Sequence, residues 1–191
     1  MIAVIEDAII ARLKAASAAT PGLGYKFQHV ESYGGEFDDE LDMVVRKFPS
    51  VWVTFAGFGK PRPSSTQKHK WITPATFLTM AGSRNVRGER ATRQGVKVAG
   101  AVIEVGVYQM MDDISLLLAG NDLGLAIKRF MPGAVRTLYN TKQRGSGVAI
   151  FAREWHTEFV EVQPREQIDP SHGDYLKVGI GLYLPLDWKQ W

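Results

Sequence analysis

Apolar residues recur at Ile2, Ile5, Ile9, Leu13 and Ala16, in steps of three and four. That spacing lines one face of a helix and predicts one over residues 2–18. Thr20, Pro21, Gly22 and Gly24 end it. In residues 25–33, Tyr25, Phe27 and His29 alternate with Lys26 and Gln28, which predicts a strand. A short helix is expected over residues 38–47, capped by Asp38 or Asp39, with Leu41, Val44, Val45 and Phe48 turned inward. Pro49 stops it. Val51, Val53 and Phe55 then mark a strand over residues 50–55. Trp71 to Met80 reads as a further strand, and Pro74 within it predicts an edge strand or a late strand start.

Further along, Val107, Met110, Met111, Ile114, Leu117 and Leu118 form one apolar stripe, predicting a helix over residues 107–119 with Gly120 at its C-cap. Residues 85–94 suit a short helix or an ordered basic loop, and residues 98–103 are ambiguous. Two short extended pieces are expected at 124–130 and 134–139, about the Pro132–Gly133 turn. Residues 147–162 carry a long strand pattern, and 175–184 a last one, in which Val178, Ile180, Leu182 and Leu184 alternate with Lys177, Gly179, Gly181 and Tyr183. These two are expected to pair as a C-terminal hairpin over 147–185. The sum is an α+β fold, a mostly antiparallel sheet with helices packed on one face. With 191 residues, the chain is expected to form a single domain over 1–191.

Charge changes the picture more by arrangement than by its formal sum of +3. Residues 31–42 hold Glu31, Glu36, Asp38, Asp39, Glu40 and Asp42 with no base. Residues 57–70, GFGKPRPSSTQKHK, form a long basic loop with Lys60, Arg62, Lys68 and Lys70 and no acid; loops of such length are usually functional. Residues 84–97 hold Arg84, Arg87, Arg90, Arg93 and Lys97 against Glu89. The arginines recur every third residue, and on a helix they would form one basic ridge able to meet phosphates. Separated patches of opposite sign suit a head-to-tail contact between copies. Lys60, Arg62, Lys68, Arg84, Arg87 and Arg90 on one side, and Glu36, Asp38 and Asp39 on the other, are the expected interface residues.

The search for chemistry excludes more than it finds. Cysteine is absent, so disulfides, thiolate zinc sites and cysteine nucleophiles are too. Gly59–Lys60 fails as a phosphate loop, because Thr54 stands where a glycine is needed and Pro61 where Ser or Thr is needed. His29, His69, His156 and His172 lack metal-ligand spacing. Gly145-Ser146-Gly147 lacks the residues of a nucleophile elbow. Asp38–Asp39 and Asp112–Asp113 are neighbours that diverge on a helix. No catalytic residue and no cofactor is expected. The start, MIAVIEDAII, has no positive leader, and no apolar run approaches the roughly 20 residues that span a bilayer, so no membrane partner is expected.

IEDAIIARLK, SYGGEFDDEL, FPSVWVTFAGFGKP, SRNVRGERATRQG, GVYQMMDDISLLLAG followed by NDLGL, and PGAVRTLYN, in this order, make residues 2–160 resemble a small tail-morphogenesis family of Mu-like phages and prophages. Residues 98–104 depart from the pattern. In those genomes the gene precedes those of the tail sheath and tube. The resemblance implies a virion protein, expected in the host cytoplasm during assembly, that acts as a tail terminator. It would form a ring, commonly hexameric, that caps the tail tube and joins it to the head connector, with the sheath as a further partner and non-specific contact to DNA in the channel. The alternatives are another neck, head-completion or baseplate protein, and, more remotely, an assembly-associated enzyme.

Overall fold

The structure is a computed structural model that describes residues 1–19, 22–35, 47–64, 70–85, 89–98, 101–140, 147–162, 177–178 and 182–183. Helix α1 spans Ile2–Ala18 and buries Ile5, Ile9 and Leu13, as their spacing requires. Its last turn is tied to the returning chain, where Ser17 Oγ accepts the backbone N–H of Phe27 at 2.8 Å. Strand β1 is shorter than the alternation suggested and covers only His29–Ser32. Phe27 is buried without ladder partners. Tyr25 donates its hydroxyl to Asp113 at 2.8 Å, and burial, then the bond to and charge of Asp113, push its phenol well above the ordinary value. The helix expected at 38–47 lies almost wholly outside the described residues.

Five further strands build the main sheet: β2 (Ser50–Phe58), β3 (Arg62–Pro63), β4 (Lys70–Arg84), β7 (Met131–Asn140) and β8 (Val148–Val162). Their order is β1-β2-β4-β8-β7, with β3 also on β4. Every pair is antiparallel except β1 with β2. The β4–β8 ladder is continuous from Lys70 opposite Val162 to Arg84 opposite Val148. Between β4 and β7 lie α2 (Glu89–Gln94), a ribbon of β5 (Val96–Val98) with β6 (Ala101–Glu104), and α3 (Val107–Leu118). After α3 the chain turns at Gly120, whose φ of 72° is the left-handed value that favours glycine at a C-cap. Among the described residues, strands β9 (Lys177–Val178) and β10 (Leu182–Tyr183) pair with each other.

The core lies on one face of the sheet. Period-two alternation puts Val51 and Val53 of β2, Ala75, Phe77 and Ala81 of β4, and Ala149, Trp155 and Phe159 of β8 there. They meet Ile5, Ile9 and Leu13 of α1 and Val107, Met110, Ile114 and Leu118 of α3 in one cluster. Trp155 and Phe77 are fully buried, and the Trp155 indole N–H reaches Thr79 Oγ1 at 2.9 Å. Phe48, Trp52, Met80, Val148, Ile150 and Ala152 form a smaller cluster on the opposite face, toward the Arg84 end. The fold is α+β with a mostly antiparallel sheet.

Three expectations change. Pro74 does not mark an edge, because β4 is flanked by β2 and β8. The carbonyl of Pro74 accepts the N–H of Gly59 at 2.9 Å, so its missing donor faces the gap between the last β2 pair, at Ala75, and the first β3 pair, at Ile72. The ladder to β8 therefore loses nothing, which is why proline is tolerated in a central strand. The described part of the basic loop, residues 57–64 and 70, joins the sheet at the end of β2, through β3 and at the start of β4, and Ser64 N–H bonds Lys70 C=O at 2.9 Å. Finally, β8 takes β4 and β7 as its ladder partners, and of the strand expected over 175–184 the described residues, Lys177–Val178 and Leu182–Tyr183, pair with each other.

Candidate interface

Four of the nine residues expected at the interface fall among the described ones: three of them stand near the two ends of one strand, β4, and Arg90 lies on α2. Lys60 and Arg62 are exposed beside the start of β4, and Arg84 is exposed at its end. Arg62 stands opposite Ile72, so about 40 Å of extended strand, at roughly 3.3 Å per residue, separates it from Arg84. Lys68, Arg87, Glu36, Asp38 and Asp39 lie outside the described residues.

At the first end Arg62 is engaged within the chain. Its guanidinium donates two hydrogen bonds to the Glu158 carboxylate, at 3.2 and 2.9 Å. Lys128 Nζ lies 3.5 Å from the same group. The Arg62 hydrogen bond holds the Glu158 carboxyl below its ordinary range against the opposing effect of burial, helped by the Arg62 and Lys128 charges. The triad joins β3, β8 and the segment before β7. Lys60 has no such partner among the ion pairs of the described residues.

The helical basic ridge does not form as the three-residue spacing suggested. Arg84 ends β4, whereas Arg90 and Arg93 belong to α2, which begins at Glu89; a strand and a helix cannot share one helical period. Arg90 Nε donates to Gln94 at 3.0 Å. Arg84 instead borders a cleft of about 340 Å³ with Tyr25, Lys26, Phe48, Ile103 and Glu104. Glu104 also accepts a hydrogen bond from Asn85.

The sequence reading missed the apolar part of the surface. Among the described residues β7 is the outermost strand at one side of the sheet, and Met131, Val135 and Leu138 along it are each about half exposed. Val160 and Val162 are likewise exposed at the end of β8, and Phe58 at the end of β2. Only the alternation within residues 134–139 hinted at a strand here, and nothing local told that it would be the outermost one.

The two described histidines have structural neighbours. His29 sits 3.0 Å from Glu31, and His156 shares a 3.0 Å hydrogen bond with Thr76 and lies 3.7 Å from Glu154. Among the described residues no group of three or more His, Asp or Glu side chains is placed to hold a metal. No described helix is long and apolar enough to cross a membrane.

Comparison with known proteins adds a family to this geometry. No curated protein matches the chain. A phage protein family, Bacteriophage Mu, Gp37, matches residues 1–160, from α1 almost to the end of β8. The match takes in both helices of the core and the whole main sheet but for the last two residues of β8, so the chain belongs to the Bacteriophage Mu Gp37 family.

Proposed function

We propose that this chain is a virion structural protein, the tail terminator, which forms a ring of copies on the finished tail tube and joins it to the head connector. The observation that carries the reading is the match to the Mu Gp37 family over 160 of 191 residues. The order of motifs that resembles the tail-morphogenesis proteins of Mu-like phages supplies the finer role. The role is assembly rather than catalysis. A closed ring needs two different, complementary surfaces on each subunit. The exposed basic residues at opposite ends of β4 and the apolar edge at β7 offer such unlike surfaces. A hexamer is the expected ring, with the tail tube, the sheath and the head connector as partners.

Electron microscopy of virions carrying a tagged chain tests this. The reading expects label at the head-proximal end of the tail, and purified protein bound to tail tubes as a ring at one end. Label at the baseplate overturns it. For the Arg84–Arg90 region, binding to duplex DNA that weakens steeply with salt would assign these arginines to the channel; binding indifferent to DNA would leave them to a neighbouring subunit.

A further inference from the structure

We propose that the cleft at the Arg84 end of β4 is a docking site for an acidic peptide segment of a protein partner, one that seats an apolar side chain against Ile103 and Phe48 and sets carboxylates on Lys26 and Arg84. The inference rests on the assembly reading above and names the chemistry of one partner contact.

The cleft holds about 340 Å³, at the lower end of ligand sites, which suits a short run of side chains. Its walls come from the chain before β1 at Tyr25 and Lys26, the chain before β2 at Phe48, the end of β4 at Arg84, and β6 at Ile103 and Glu104. Each wall is held by bonds of its own. Tyr25 donates to Asp113 of α3 at 2.8 Å, and Ser83 Oγ donates to the Val105 carbonyl at 2.8 Å. Asn85 donates to the Glu104 carboxylate. Phe48 packs edge-on against Trp52 and lies over Gly82. Walls fixed in this way need little ordering when a ligand enters, which favours binding.

The polar groups decide what fits. Lys26 and Arg84 are exposed, and neither forms an ion pair among the described residues. Two such cations at one cleft favour an anion. A nucleic acid is the poorer match. Its phosphates would bring an unbroken run of negative charge against Glu104. Bases would also find little aromatic surface to stack on, because Phe48 is 8% exposed. Ile103, by contrast, is 56% exposed, an apolar side chain that a phosphate backbone leaves in water and a peptide covers. A peptide intersperses charge with apolar groups. It can place carboxylates on the two cations, an aliphatic or aromatic side chain on Ile103 and the edge of Phe48, and a backbone N–H on Glu104. Basic clusters read acidic motifs in this manner.

The probe is a fluorescein-labelled peptide, Asp-Asp-Phe-Asp-Asp, titrated into the full-length protein and followed by anisotropy. Saturable binding is expected. Arg84→Glu should raise the dissociation constant roughly tenfold, because a reversed charge at the contact repels the peptide. Ile103→Ser should raise it about threefold through lost apolar contact. Arg12→Glu makes the same charge change at an exposed site on α1 and should leave it unchanged. Arg84, Ile103 and Arg12 are all exposed, so each variant should keep the circular dichroism of the parent. No saturable binding overturns the proposal. Equal weakening by Arg84→Glu and Arg12→Glu overturns it too, because attraction would then follow net charge alone. So does equal binding of the peptide with alanine in place of phenylalanine. Duplex DNA that binds more tightly than the peptide and loses affinity on Arg84→Glu assigns the cleft to phosphates instead. Rings on tail tubes without peptide binding remove the docking site and leave the terminator reading standing. Peptide binding with label at the baseplate does the reverse.

Discussion

Arg62 and Glu158 are 96 residues apart in sequence, and the guanidinium of one grips the carboxylate of the other through two hydrogen bonds. Lys128 completes the group. The bond pins β3 to β8 across the face of β4 and uses a base that local sequence assigns to a solvated loop. Its effect on Glu158 has a definite sign. A carboxyl held below its unfolded value contributes stability above that unfolded value, and the contribution is lost as pH falls through the folded one. Acid unfolding followed by circular dichroism should therefore show Glu158→Gln losing part of the pH dependence at and below the ordinary carboxylate range. Near neutral pH the loss should be small, about 0–1 kcal/mol, because Arg62 is more than half exposed.

Lys60 is the freer of the two bases. Lys60→Glu should leave stability within about 0.5 kcal/mol of the parent, since an isolated surface charge contributes little. It should slow docking to tail tubes, and the defect should shrink as salt rises, because such charges act mainly on encounter. Association kinetics at two ionic strengths checks this. Adding Arg62→Glu should cost stability as well, through its clash with Glu158.

Thr79 and Trp155 are both fully buried and bonded to one another. Thr79→Val keeps the shape but strands the indole N–H, which should cost about 1–3 kcal/mol. Trp155→Ala opens a cavity in the main core and should cost about 3–5 kcal/mol. Urea melts of the two variants should rank in that order. Equal midpoints would mean that packing at Trp155 adds nothing to its hydrogen bond.

Gly82 lies under the ring of Phe48, and a Cβ there would run into that ring. Phe48 is buried and packs edge-on against Trp52, with ring centroids 6.0 Å apart. Gly82→Ala should therefore destabilise by about 1–3 kcal/mol through overpacking, against the usual gain from replacing glycine in a strand. Gly82→Ala with Phe48→Leu should recover part of the loss, which a double-mutant cycle in denaturant would measure.

Elements whose signal lies within one stretch of chain were legible before any coordinates. The stripe from Ile5 to Leu13, the stripe from Val107 to Leu118, and the alternation from Val148 to Val162 each became the element expected, with Ile5, Ile9, Leu13, Val107, Met110, Met111, Ile114 and Leu118 buried. Residues 25–28 did not join β1. Tyr25 and Phe27 alternate correctly, but they are held by Asp113 and Ser17 rather than by a ladder.

The sequence by itself determined the local periods, the absence of thiol chemistry and the two basic ends, because each depends only on neighbours along the chain. Tertiary structure decided what depends on distant partners. It made β4 central despite Pro74, by letting β2 end and β3 begin around the missing donor. It drew Arg62 out of a loop and onto Glu158. It also put β7 at the rim with its apolar side chains half exposed. Whether a strand is an edge is a property of the sheet it joins, and no period of side chains within the strand can carry that information.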